Sequence, residues 1–304
     1  MTAKVILNPY SNRWTAERRW PEAAAALKAA GVDFELAVSE RQHQPIELAE
    51  QAARQGFSPI IAAGGDGTVG EVVNGMARAA KSDAEPLGPL GVIPLGTAND
   101  LVCNLGLPLG LEAAARVIAA GNVRRMDVCK VNDLYFVNNS AIGLEPYISL
   151  VQERIKWIKG IGRYLVAAVR GILDNPHWNA KLEWDGGQFE GPVLFVTVGN
   201  GPRTGGVFYM APHADPFDGK LTFAHAFRAK PGQILKLLPT AMKPGAGNYV
   251  EAEGAFEGNA DWLKVHFDAP APAHIDGEIF SKAITDLEYR ILPGRLSILY
   301  PAQA

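Results

Sequence analysis

Up to Asp127, short apolar runs alternate with longer stretches in which apolar residues recur at helical spacing. Runs at 4–7, 34–38, 60–63 and 90–93 read as strands. Stretches at 15–30, 46–55, 69–80 and 111–120 read as helices. Gly31, Gly56 and Gly121 stand just past three of these helices, where a left-handed residue ends a helix at least cost. Pro21 leaves the start of the first helix open. Alternating strands and helices predict a parallel sheet covered by helices. After Asp127 the pattern changes to short strand-like runs at 134–137, 180–184, 193–198, 221–225 and 262–267. Asp185-Gly186-Gly187 and Asp218-Gly219 punctuate them as turns. This half predicts an antiparallel β domain, a sandwich rather than a barrel, interrupted by one helical stretch at 149–173. The tail, 288–300, reads as a hairpin turning at Pro293-Gly294 that fits either domain.

Composition narrows the setting. With 304 residues, 48% of them hydrophobic, the chain can bury a sizeable core in two domains. A net charge of −3 gives no general attraction to nucleic acid. Two cysteines, Cys103 and Cys129, are too few for a disulfide framework and predict buried free thiols in a reducing compartment. Residues 1–7 run directly into a strand-like segment with no signal peptide, and no apolar run approaches the ~18 residues of a membrane span. The expected location is cytoplasmic.

Chemistry concentrates after the third and fourth strands. The third feeds Gly64-Gly65-Asp66-Gly67-Thr68, a glycine turn leading into a helix. Such a turn brings backbone N–H groups and a helix N-terminus to an anion. Asp66 would repel a bare phosphate, so the loop calls for a cation between them: Mg²⁺, a nucleotide and phosphoryl transfer. Gly65-x-Gly67-x-x-Gly70 matches a dinucleotide fingerprint only formally, because it follows the third strand and Glu85 lies in a loop-like stretch. No Walker A lysine follows. A turn that merely closes a βα unit is the plain alternative. The fourth strand feeds Pro94-Leu95-Gly96-Thr97-Ala98-Asn99-Asp100. Thr97 and Asn99 offer short polar groups to a phosphate or ribose and Asp100 a second carboxylate, although alone these residues suit a helix cap. Both loops belong at the carboxyl edge of the sheet, where ligands collect.

Together the two loops resemble the diacylglycerol kinase catalytic-domain family, which includes sphingosine and ceramide kinases. The resemblance rests on Gly64-Gly65-Asp66-Gly67-Thr68 and Pro94-x-Gly96-Thr97-x-Asn99-Asp100. It continues through Asn8-Pro9-Tyr10-Ser11, Asp127, Gly199-Asn200 with Gly205-Gly206, Pro212 with Asp218-Gly219-Lys220-Leu221, and Asp276-Gly277-Glu278. It implies an α/β nucleotide-binding N-terminal domain with a Rossmann-like parallel sheet over 1–127, joined by 286–304. It implies a β-sandwich lipid-substrate domain over 128–285. By the same resemblance Gly65, Asp66, Gly67, Thr68, Val69, Gly70 and Glu71 line the ATP phosphates, and Ser39 and Thr97 contact the nucleotide. Asp276 is the general base toward a lipid hydroxyl. Asp218, with backbone carbonyls near Asp215 and Lys220, holds a structural Mg²⁺, and the catalytic Mg²⁺ lies near Asp66 with Asp100 and Asp127 ordering its waters. Read without the resemblance, Asp276-Gly277 is an ordinary hairpin turn.

The implied activity is ATP- and Mg²⁺-dependent phosphorylation of a lipid at a membrane surface, diacylglycerol to phosphatidic acid first. A sphingoid base, ceramide or phosphatidylglycerol is the nearest alternative acceptor. NAD phosphorylation and non-catalytic nucleotide or lipid binding stay open. The chain departs from the family pattern at Asn12, Val207 and Thr222, all expected to lie away from the ATP loops. Arg154, Lys156, Lys159, Arg163 and Arg170 interleave with Ile155, Trp157, Ile158, Ile161, Tyr164 and Leu165. Stretch 151–173 therefore reads either as a core-packing helix with a solvated basic face or as a peripheral membrane contact. The histidines show no metal-ligand spacing, and His213, His225, His266 and His274 receive no catalytic role. Oligomeric state stays open, a homodimer included.

Overall fold

A computed structural model describes residues 2–155, 157–158 and 161–302, without the side chains of Arg13 and Ile161. The chain forms two compact units. The first holds everything up to Val128, together with Pro216–Asp218 and the segment from Leu292 onward; the second holds Cys129–Asp215 and Gly219–Ile291.

In the first unit β1 (Ala3–Leu7), α1 (Ser11–Ala29), β2 (Phe34–Val38), α2 (Gln44–Arg54), β3 (Ile60–Gly64), α3 (Asp66–Ala79) and β4 (Leu87–Pro94) alternate. Two further helices, α4 (Asp100–Asn104) and α5 (Leu111–Ala120), follow. The strands run parallel in the order β4-β3-β1-β2. β3 is buried along its whole length, as a strand covered on both faces must be. Val5, Leu7, Ile61, Ala63 and Ile93 pack with Leu27, Leu111 and Ile118 from α1 and α5. On the other face α2 and α3 meet closely, since a Cβ on Gly75 would overlap the Ile46 carbonyl. Helix α1 starts earlier than expected and carries Pro21 inside it. Helix α3 also starts earlier, so Asp66, Gly67 and Thr68 lie in its first turn and not in a loop before it. Gly65, in extended conformation, caps it.

Leu292 onward corrects the expected tail hairpin. The chain does not fold back at Pro293-Gly294: Leu296 and Ile298 pair in parallel with Leu87 and Leu90 of β4. Two buried residues of this segment, Leu296 and Ile298, explain why it joins a sheet and does not form a solvent-facing ribbon.

The second unit is β-rich. Its strands are the end of β5 (Val123–Val131), then β6 (Leu134–Phe136) and β7 (Asn139–Gly143). After helices α6 (Leu144–Arg154) and α7 (Ile161–Asp174) come β8 (Trp178–Trp184), β9 (Gly187–Val193) and β10 (Phe195–Gly199). The short β11 (Arg203–Thr204) and β12 (Phe208–Tyr209) precede β13 (Leu221–Ala226), α8 (Pro231–Leu237), β14 (Ala255–Ala260), β15 (Trp262–Ile275) and β16 (Glu278–Leu299). Antiparallel pairing runs β14-β13-β10-β7-β15-β16. A β8–β9 hairpin lies on β15, closed by Asp185-Gly186 between Trp184 and Gly187. One core gathers Val196, Phe223, Phe267, Leu287 and Tyr289 among the strands; another packs α6, α7 and α8 on β10 and β13 through Ile148, Ala168, Phe195, Ala224 and Ile234. The single helical stretch expected over 149–173 is two helices, α6 and α7; Lys156 and Lys159 lie outside the described residues. Both cysteines are free, Cys129 buried and Cys103 half-buried where a buried thiol was expected.

Candidate active site

In the first unit the register decides which loops meet. Gly64 pairs with Pro94 across β3 and β4, and Leu95 N–H donates to the Gly64 carbonyl at 2.9 Å. The turn at Gly65 and the loop at Gly96 therefore lie back to back. A Cβ on Gly65 would sit 3.1 Å from Gly96 Cα, and one on Gly96 would overlap Gly65 Cα. At Gly96 a side chain has no room, and at Gly65 it would force the facing loop to shift. Asn99, at φ 48°, closes its own loop: Oδ1 accepts from Gly96 N at 3.0 Å and Nδ2 donates to Gly96 O at 3.2 Å. Its amide shapes the loop, a role different from the ligand contact expected of it.

Asp66 opens α3, where the positive end of the helix favours an acid. Its Oδ1 accepts from Leu101 N at 2.9 Å, which ties the first turn of α3 to that of α4. Thr68 is buried, and its Oγ1 takes Asn8 Nδ2 and Ser11 Oγ, each at 3.1 Å. Asn8-Pro9-Tyr10-Ser11 thus serves as a clamp on the glycine turn. Thr97 Oγ1 donates to Asn12 Oδ1 at 2.8 Å. Asn12, in the first turn of α1, was expected to lie away from the ATP loops, yet its side chain meets the second loop at Thr97. Ser39 is buried with Oγ donating to the Arg41 carbonyl at 3.1 Å. Glu71 meets His43 Nδ1 at 2.8 Å. Val69 and Gly70 are buried within α3. Asp127 Oδ1 accepts from Gly294 N at 2.6 Å, and Asp100 is buried in α4.

Of the structural-metal set, Asp215 and Lys220 fall in the second unit and Asp218 in the first; all three are exposed. Lys220 Nζ pairs with Asp261 Oδ1 at 2.6 Å. Among the described residues no group of three His, Cys, Asp or Glu side chains is placed to hold a metal. Mg²⁺ commonly relies on one or two carboxylates plus substrate phosphates, and Asp66 at an anion-attracting helix start fits that donor set.

In the second unit Asp276 and Gly277 form the two-residue turn between Ile275 and Glu278, with φ of 45° and 85°. Both angles are positive, as this hairpin type requires. A turn does not require the rest. The Asp276 carboxylate is buried; Oδ1 accepts from Asn138 N at 2.8 Å and Asn139 N at 3.1 Å, and Oδ2 from Val137 N at 3.1 Å. Asp276 N in turn donates to Asn139 O at 2.7 Å. Beside it lies a pair that the pattern of residues did not announce. His274 Nε2 and Glu145 Oε1 are 3.0 Å apart, both side chains buried. The available signal was an acid at the start of a helix inside an apolar stretch, 141–148. Of the other histidines, His213 pairs with Glu257 and His266 with Asp286 at the surface. His225 is buried against Phe189, and burial pulls its ring down to about 4.

An α/β unit with paired glycine loops and a β-rich unit with a buried acid in a turn define a nucleotide-dependent transferase of two-domain type. Residues 2–131 match the diacylglycerol kinase catalytic domain, and 139–300 match the YegS C-terminal NAD kinase beta sandwich-like domain. A diacylglycerol kinase of Staphylococcus haemolyticus (strain JCSC1435) is 28% identical over 282 residues, 92% of this chain and 83% of that one. One from Staphylococcus aureus (strain JH9) is also 28% identical, covering 92% of this chain and 87% of its own. The crystal structure of a putative diacylglycerol kinase from Bacillus anthracis str. Sterne superposes with a TM-score of 0.79 at 25% identity, covering 99% of this chain and 97% of the other. The chain belongs to the diacylglycerol kinase family, with its YegS-type C-terminal domain. It is therefore a lipid kinase that takes ATP as phosphate donor. No helix among the described residues is long and apolar enough to cross a membrane.

Proposed function

We propose that this protein transfers the γ-phosphate of ATP to the hydroxyl of diacylglycerol, yielding phosphatidic acid and ADP. The observation that carries the reading is the back-to-back contact of Gly65 and Gly96, which leaves two helix starts and Asp66 at one sheet edge. The relatives named above supply the acceptor. In this reading the unit up to Val128, with Pro216–Asp218 and the segment from Leu292 onward in place of the expected 286, is the ATP domain, and the unit of Cys129–Asp215 and Gly219–Ile291 is the lipid domain. Gly65, Asp66, Gly67, Thr68, Val69, Gly70 and Glu71 line the ATP phosphates from the start of α3, where the Val69 N–H is already bonded to the Gly65 carbonyl, Thr97 and Ser39 face the nucleotide, and Asp66 would hold a phosphate-bound Mg²⁺. Bound there, Mg²⁺ offsets phosphate charge. Asp218, with backbone carbonyls near Asp215 and Lys220, would hold a structural Mg²⁺.

An alcohol is a weak nucleophile near neutral pH. Asp276 accepts its proton as the lipid oxygen bonds to phosphorus and the bond to ADP breaks. The three N–H donors fix this carboxylate in place before substrate arrives. The protein works in the cytoplasm at the membrane surface. Val166, Val169 and Leu173 form an exposed apolar stripe on α7, with Trp157 exposed just before it, which supports peripheral lipid contact. Sedimentation equilibrium separates a monomer from the homodimer that the sequence allows.

The test is γ-labelled ATP with Mg²⁺ and a panel of lipid alcohols in mixed micelles, alongside NAD. Label should appear in phosphatidic acid. Labelled NADP with no labelled lipid would overturn the reading.

A further inference from the structure

Arg203 stands on the short strand β11, in the loop after β10, and its carbonyl accepts from Asn138 Nδ2 at 3.0 Å. The backbone N–H of the same Asn138 donates to Asp276 Oδ1 at 2.8 Å. One residue thus ties the arginine-bearing strand to the acid of the turn. The tie is repeated on either side. Asn138 O accepts from Asn200 N at 2.8 Å and Gly201 N at 3.0 Å, and Asn200 Nδ2 donates to Val137 O at 2.9 Å. Thr204, next to Arg203, is buried with Oγ1 3.5 Å from Glu145 Oε1. Asn138 and Asn200 are buried as well, so the loop is built into the frame that holds Asp276.

Arg203 itself is half-buried, and its guanidinium turns back on its own hairpin. Nε donates to Gly206 O at 3.0 Å, and Nη2 donates to the same oxygen. Those bonds fix the plane of a group that stays cationic and carries five N–H donors in a rigid fork. Such a fork matches the oxygens of a phosphate. Two acids belong to the same frame: Asp276 and Glu145 are buried and linked through the backbone N–H and side-chain amide of Asn139. Both repel an arriving phosphoryl group, whose charge spreads over three oxygens during transfer. A fixed cation in that frame offsets the repulsion.

We infer that Arg203 binds the transferring phosphoryl group on the acceptor side, and then the phosphate monoester of the product. This rests on the lipid-kinase reading and gives it a catalytic residue beyond Asp276 and the glycine loops. The lipid oxygen bonds to phosphorus, the bond to ADP breaks and Asp276 takes the proton. The new monoester is then an anion held beside acids, and Arg203 meets its charge from β11.

The test uses the full chain with dihexanoyl phosphatidic acid and dihexanoylglycerol below their micelle concentrations, so that no membrane surface contributes. Calorimetric binding without ATP or metal should favour the phosphate-bearing lipid by about ten-fold or more in the wild type, and Arg203→Gln should bring the ratio within about two-fold. With ATP and Mg²⁺, Arg203→Gln should lower kcat for diacylglycerol by about 10²–10³-fold while KM for ATP stays within about three-fold. Arg203→Lys keeps a cation but loses the planar fork, so it should lose about ten-fold in kcat, and it decides the matter if Arg203→Gln does not fold. No phosphate preference in the wild type, a preference that survives Arg203→Gln, or wild-type kcat in Arg203→Lys overturns the inference. Phosphate preference with no lipid phosphorylated ends the kinase reading alone; phosphorylation of diacylglycerol with no phosphate preference ends the role of Arg203 alone.

Discussion

Asp66 and Asp276 both occupy glycine-containing turns, yet the two turns are made by different means. Asp66 stands in a continuous motif, between Gly65 and Gly67, and its carboxylate has a donor in Leu101 N from the first turn of α4. Asp276 draws three N–H donors from Val137, Asn138 and Asn139, well over a hundred residues earlier in the chain. The first turn works through local geometry: a glycine cap, a helix start and an acid suited to it. The second is a plain hairpin whose chemistry comes from the strand it folds against. A helix start accommodates an exchangeable anion, whereas the Asp276 carboxylate is held in one place by fixed N–H groups.

The sharpest way to break this comparison is Asp276→Asn. Asparagine tolerates the left-handed turn, and its Oδ1 can keep the Asn138 and Asn139 donors while the one from Val137 is lost, so circular dichroism and the unfolding midpoint are compared first. Lipid phosphorylation should fall by roughly 10²–10⁴-fold in kcat while ATP binding is unchanged. Full activity in that variant would remove Asp276 from its role and leave it a turn residue.

Gly96→Ala tests the first region. The added Cβ must displace Gly65 Cα and Asn99 Oδ1, so the two loops have to separate. Denaturant unfolding should show a loss of about 1–3 kcal/mol, and ATP affinity should fall with it. An unchanged midpoint and affinity would mean the close contact is dispensable.

His225 probes the second unit through pH. Its ring, buried beside Phe189 and Phe256, titrates at about 4 instead of 6.5. The unfolded chain then binds a proton that the folded chain refuses, so the contribution is fully present above about 6.5 and lost as pH falls toward 4. Between pH 7 and 4.5 this group should account for a loss of about 2 kcal/mol. His225→Phe should flatten that part of the urea-unfolding profile; an identical slope in both proteins would show that other groups carry it.

Asn12→Gly should have the smallest effect. Asn12 sits at φ 51°, a conformation glycine adopts freely, and its loss releases the Thr97 hydroxyl. The expected result is a KM for ATP within about three-fold of wild type, since one neutral hydrogen bond contributes about 1 kcal/mol or less. A ten-fold change would place Asn12 on the nucleotide itself.

The parallel sheet was legible because strands, helices and stops alternate within a few residues of one another. Helix α5 ends at Ala120 and Gly121 follows it at φ 68°, as the glycine there implied. The tail was misread because Pro293-Gly294 carries ordinary turn chemistry, while the partner of Leu296 and Ile298 is β4, two hundred residues away. The break between α6 and α7 was missed because an apolar and basic alternation reads as helix throughout 149–173. The Glu145–His274 pair was invisible for a similar reason. Its members meet only because β7 lies antiparallel to β15 with Ala141 opposite His274.

Sequence alone determined the alternation of the first half, the β-rich second half and the glycine loop with its acid. Each of those depends on residues close together in the chain, where periodicity, turn preference and helix dipole act directly. Tertiary structure alone decided that Gly65 and Gly96 touch, that Asn8 and Ser11 hold Thr68, and that Asp276 and Glu145 share Asn139. Those arrangements follow from strand register, which a one-residue slip would invert, and from burial, which turns an ordinary hairpin acid into a fixed hydrogen-bond acceptor.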